Sequence, residues 1–197
     1  MPSPIAHGSL AFLAWPALRG HAPAALPLWR RAALLVLLVG ALGAPDLDIL
    51  IDPLLGNRWF ANHGGPTHSL AAGVAFAFLF TAAARILVPA PLLRLWLVGL
   101  LAYWSHIVLD ACTFGRGVMM LWPFTGERFA TPIPLFVGVR HSDWGDWPGH
   151  LITLSTESAF AVLVWLIAAR TRRRVVRSAP QGPNPAPSHT SLQGALR

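Results

Sequence analysis

The chain has 197 residues, 54% of them apolar and only 12% charged, with a mean hydropathy of +0.53. Soluble domains carry about a quarter charged residues, so this composition excludes an ordinary water-exposed globule, and the single cysteine, Cys112, excludes a disulfide scaffold. The net charge of +7 comes entirely from arginine, and five of the 15 lie between Arg170 and Arg177. This is a tail cluster without interleaved aromatics, so no nucleic-acid partner is expected.

In chain order, Pro4–Leu18 is apolar but too short for a confident span, and it carries His7. It has no basic leading region and no small-residue cleavage site, so it does not read as a signal peptide. Four later segments approach the roughly 20 apolar residues that a spanning helix needs. They are Ala32 to about Leu50, Ser69–Val88, Leu92–Ala111 and Leu151–Ala169. The expected fold is therefore all-α: a polytopic membrane bundle of four long transmembrane helices plus a short N-terminal helix. Residues 1–177 form the membrane-embedded domain, and 178–197, rich in Pro, Ser, Gln and Asn, form a disordered tail.

The positive-inside rule places Arg30 and Arg31, the Arg85–Arg94 connection and the Arg170–Arg177 cluster in the cytoplasm. The arginine cluster then sits against anionic lipid, with the tail on the cytoplasmic side. Segments 45–68 and 112–150 lie on the opposite side. Trp122, Trp144 and Trp147 in the second of these suit the membrane surface.

This orientation gathers chemistry at one face. Asp46 and Asp48 end the first long segment, where Pro45 interrupts the helix. His63 and His68 lie on a Gly-Gly-Pro turn before the second, and His106 and Asp110 end the third. The last two are four apart, so they share one helix face. His7 joins them if its segment starts on that side. Any one buried His or Asp is commonly just a hydrogen-bonded packing residue. Several carboxylates and imidazoles at one depth, however, need a cation to offset their burial. Mixed imidazole and carboxylate ligands suit zinc, or manganese where oxygen dominates, and the donor count allows two ions. Glu157 reads either as a further ligand or outer acid, or as a protonated, bundle-facing glutamate. His141, Asp143 and Asp146 read as a solvated run, and His21 and His189 have no evident partners. No phosphate-binding glycine loop or nucleophile elbow is present.

These motifs carry a resemblance. Gly43-Ala-Pro-Asp-Leu-Asp48, His63-Gly-Gly-Pro-Thr-His-Ser69, Ser105-His-Ile-Val-Leu-Asp-Ala-Cys-Thr-Phe-Gly115 and Gly117-Val-Met-Met-Leu-Trp-Pro-Phe124 resemble the YdjM-like family. That family comprises bacterial inner-membrane, metal-dependent hydrolases, described in one branch as LexA-binding. The resemblance covers residues 5–130 and includes the early His7. Gly64 stands where the family usually has Arg, and Ile49 where it often has His. More distantly, the ligand order is similar to zinc-dependent phospholipase C, which implies Asp46 as ligand and base. The later His-x-x-x-Glu of that enzyme is missing, since residue 154 is Leu.

The resulting expectation is a membrane-bound metal-dependent hydrolase acting on an amphiphilic phosphoester or lipid-type substrate. Its metal shell is His7, Asp46, Asp48, His63, His68, His106 and Asp110, with Asp46 as proton acceptor. The alternative is a non-catalytic membrane protein whose cluster is a structural or regulatory metal site. A metal-ion carrier is disfavoured, because Glu157 alone lies near mid-membrane.

Overall fold

In the computed structural model, residues 3–19, 26–139, 143 and 145–178 are described. The expected tail from 179 onward, and His21, His141, Trp144 and His189, lie outside them. Among the described residues the architecture is all-helical: α1 (Pro4–Ser9), α2 (Ala11–Arg19), α3 (Leu28–Gly43), α4 (Leu47–Leu54), α5 (Leu70–Leu87), α6 (Leu92–Ala111) and α7 (Trp147–Ser178). Short 3-10 turns cover Ala44–Asp46 and Pro66–His68. Two isolated bridges, Thr113 with Phe136 and Val118 with Phe129, tie the long loop after α6 into a compact cap.

Among the described residues, four helical stretches are long and apolar enough to cross a membrane: Leu28–Leu54, Leu70–Leu87, Leu92–Ala111 and Trp147–Arg173. Their outward faces carry Val36, Phe78, Leu79, Ile86, Leu93, Leu101 and Val162, all exposed. Such a surface is stable against hydrocarbon and not against water. The inner seam packs Leu34, Leu38 and Leu42 of α3 against Phe80 of α5, Leu95 and Val98 of α6, and Leu18 of α2. Helices α5 and α6 approach closely because Gly99 leaves room for the Phe80 ring; a Cβ there would lie 2.7 Å from it. Small residues play this role where helices must pack without a hydrophobic drive.

Three boundaries differ from the sequence expectation, each for a local reason. The N-terminal segment is two helices, broken at Leu10. The first span continues past Leu50 through α4, because Pro45 tightens the chain to a 3-10 turn without ending the helix direction. The last helix starts at Trp147 and runs to Ser178, where arginine-rich sequence remains a good helix former beyond the apolar stretch.

The four-residue connection between α5 and α6 reverses the chain. The end of α6 therefore returns to the end of α3 and the start of α5, which is where the polar groups gather. The arginines Arg30, Arg31, Arg85, Arg94 and Arg170 sit at the opposite helix ends.

Candidate metal centre

The break at Pro45 is the first device that builds the site. Proline offers no N–H to the carbonyl one turn back, and next to this break the Leu42 carbonyl accepts a hydrogen bond from His106 Nδ1 at 2.6 Å. A carbonyl can only accept, so Nδ1 carries the proton, and the neutral ring presents its Nε2 lone pair inward. His106 is fully buried.

His68 is held in the same manner from the other side. Its Nδ1 lies 3.2 Å from Asp48 Oδ2 and 3.1 Å from Thr67 Oγ1, while Thr67 Oγ1 donates to Asp48 Oδ2 at 2.9 Å. His63 Nδ1 meets the other oxygen, Asp48 Oδ1, at 3.0 Å. One carboxylate thus takes the outward nitrogens of two imidazoles, the usual arrangement behind metal-ligating histidines. Ser69 then caps α5 by accepting from the Ala72 N–H. Tyr103 Oη donates to the Thr67 carbonyl at 2.6 Å and locks the turn onto α6.

Four atoms now converge: His68 Nε2, His106 Nε2, Asp46 Oδ1 and Asp110 Oδ2. Their nitrogen–oxygen separations are 3.4 and 3.0 Å from His68, and 3.2 and 3.4 Å from His106. Donors on one tetrahedral ion at 2.0–2.1 Å stand about 3.3 Å apart. None of the four has a hydrogen-bond partner among the described residues, although all four are buried. Leaving such groups unmade costs about 1–3 kcal/mol each, and a shared cation removes that cost. The chemistry of the donor set therefore fits a divalent ion.

All seven residues expected in the shell are brought together. Two overlapping groups, Asp46–His63–His68–Asp110 and His7–His106–Asp110, have ligand atoms mutually within 4.8 Å. They share Asp110. Asp48 stands behind His63 and His68, and His63 Nε2 reaches Asp110 Oδ2 only at 4.0 Å. Among the carboxylates in the set Asp46 is the most open, its side chain 24% exposed against 3% for Asp110.

Burial opposes charge on His68, but the carboxylates of Asp110, Asp46 and Asp48, 3.0–3.4 Å from its ring nitrogens, outweigh it and push its pKa up to about 11. Burial dominates at His7, which is lowered against the opposing pull of Asp110. At neutral pH His68 thus holds a proton that a metal must displace, while His7 is neutral. Apparent metal affinity should rise about tenfold per pH unit between pH 6.5 and 8.5 for one displaced proton. Isothermal titration with zinc across that range checks this, and a flat profile would contradict it.

Several supporting residues were not singled out from sequence. Asp52 accepts from the Asn62 N–H and Nδ2 at 2.9 and 2.7 Å, closing the loop just before His63. The His63 carbonyl accepts from Arg116 Nη2 and Arg128 Nη1. Gly64 adopts φ +75°, and a Cβ there would lie 2.8 Å from Arg128 Nη1. The position where the resembling family has Arg is thus occupied by a left-handed glycine, with a guanidinium from the cap loop beside it. Glu157 lies away from the cluster. Fully buried in α7, it accepts from Ser3 N at 2.8 Å and from Ser3 Oγ. It anchors the start of α1, the helix that carries His7. The Gly64–Arg128 contact joins segments distant in sequence, the Asp52–Asn62 pairing closes a ten-residue loop, and neither leaves a periodic signal.

A family model described as YdjM inner membrane protein matches residues 1–175. The chain is 37% identical over 92 residues to inner membrane protein YbcI of Escherichia coli (strain K12), a match covering 45% of this chain and 52% of that relative. The chain therefore spans about half the length of the curated relative it matches. No solved structure matches.

Proposed function

The chain belongs to the YdjM inner membrane protein family, and from that premise we propose that it is a membrane-bound, metal-dependent hydrolase acting on a phosphoester of an amphiphilic or lipid-type molecule. The observation that carries the reading is the set of four buried donor atoms, none of them hydrogen-bonded among the described residues, with nitrogen–oxygen separations of 3.0–3.4 Å. His68, His106, Asp46 and Asp110 hold the ion, which is zinc or manganese by donor type. When bound, such an ion lowers the pKa of water and polarises the scissile group. Asp48 orients His63 and His68. Asp46, the carboxylate most open to solvent, accepts the proton of the attacking water.

Amphiphilic substrate is supported by the apolar rim at the same end of the bundle. Leu54, Leu55, Trp59 and Phe124 are all strongly exposed there, as expected of a surface seated among headgroups. Arginine at the opposite helix ends supports a cytoplasmic assignment for those ends and for the C-terminal tail. The site then faces the outer side of the inner membrane.

A second reading, a non-catalytic structural or regulatory metal site, is favoured by one observation: four protein donors suffice to close a tetrahedral shell. The two readings separate in a hydrolysis assay on detergent-purified, zinc- or manganese-loaded protein with phospholipids and soluble phosphoesters. The hydrolase reading expects turnover that chelation abolishes and that Asp46→Asn lowers by about 10²–10⁴. Metal-loaded protein without turnover on any of them would leave the structural reading.

A further inference from the structure

His7 is a buried histidine, 3% exposed, whose two ring nitrogens both lack a hydrogen-bond partner among the described residues. Its ring lies flat on that of His106, with centroids 3.7 Å apart and planes 12° from parallel. The two imidazoles address different oxygens of the same carboxylate. His106 Nε2 is 3.4 Å from Asp110 Oδ2, and His7 Nε2 is 3.5 Å from Asp110 Oδ1. Neither Asp110 oxygen has a hydrogen-bond partner either.

Parallel imidazoles so close, each aimed past a different oxygen of one carboxylate, fit two ions better than one. Metal pairs in two-metal hydrolytic sites stand about 3.5–4 Å apart, a spacing that one carboxylate can span with its two oxygens. The helix bearing His7 is also fixed in place. Glu157 holds Ser3 at its start, and Ala6 packs beside Leu109 and Phe136. An incidental histidine would not need its ring buried against the cluster with both nitrogens unmet.

We propose that His7 Nε2 and Asp110 Oδ1 form a second divalent-metal subsite, with Asp110 bridging it to the ion held by Asp46, His68 and His106. This rests on the metal reading above and deepens it. The second subsite takes two protein donors, both buried, and non-protein ligands would complete its shell. A two-metal site clamps both the attacking and the leaving oxygen of an in-line displacement, which makes a phosphoester the fitting substrate class.

The test is zinc stoichiometry of the purified full chain, reconstituted and desalted, beside His7→Phe. Phenylalanine keeps the ring and its stack but removes both nitrogens, so a folded variant is expected. The proposal expects about two ions per chain in the parent and about one in His7→Phe, with the remaining ion bound as tightly as before. As a second readout, manganese-loaded parent should give the electron paramagnetic resonance signature of a coupled pair, and His7→Phe that of an isolated ion. One ion in the parent, or two retained in His7→Phe, overturns the second subsite alone. No ion in the parent overturns the metal reading with it.

Discussion

Asp110→Asn is expected to abolish tight metal binding. Asp110 is the one residue shared by both ligand groups, and its two oxygens face His68 and His106 on one side and His7 on the other. The amide keeps the size and one acceptor oxygen but loses the charge. Removal of an outer-shell partner alone weakens metal sites about 10–100-fold, so loss of this carboxylate should weaken binding by at least about 100-fold. Competition with a chelator of known affinity measures it. The fold should survive, since the substitution removes a buried negative charge without leaving a cavity; unchanged helical circular dichroism is the control. Metal affinity within a few-fold of the parent would show that Asp110 is a packing residue.

Asp48→Asn should behave differently. Both Asp48 oxygens are spent on His63 Nδ1, His68 Nδ1 and Thr67 Oγ1. An amide there can accept at its oxygen but not at its nitrogen, so one imidazole loses its anchor. The expected result is metal binding weakened about 10–100-fold and not abolished, with stoichiometry unchanged at saturating metal. If Asp48→Asn instead empties the site as fully as Asp110→Asn, then Asp48 is itself a ligand.

The contrast between these two aspartates marks how far sequence carries. Pro45 followed by Asp46 and Asp48 announces a broken helix with two carboxylates, and His106 with Asp110 announces a shared helical face. The spans are equally legible, because twenty apolar residues at a stretch have few other fates. Which carboxylate is placed to grip an ion and which stands behind the imidazoles depends on side-chain direction across the turn Pro66–His68, and spacing does not encode that. Glu157 shows the same limit. Its isolation in an apolar helix is visible in sequence, but its partner Ser3 lies 154 positions away. Gly64 reads as a mere departure from a family pattern until its left-handed backbone and the neighbouring Arg128 guanidinium are seen together.

The central claim is that the buried His/Asp cluster is a divalent-metal centre. Its most direct test is elemental analysis of the detergent-purified chain, as isolated and after reconstitution with zinc or manganese. The geometry predicts about one to two tightly held ions per chain that survive desalting. Protein that remains metal-free after reconstitution would contradict it, and the cluster would then be a hydrogen-bonded network that ties helix ends together.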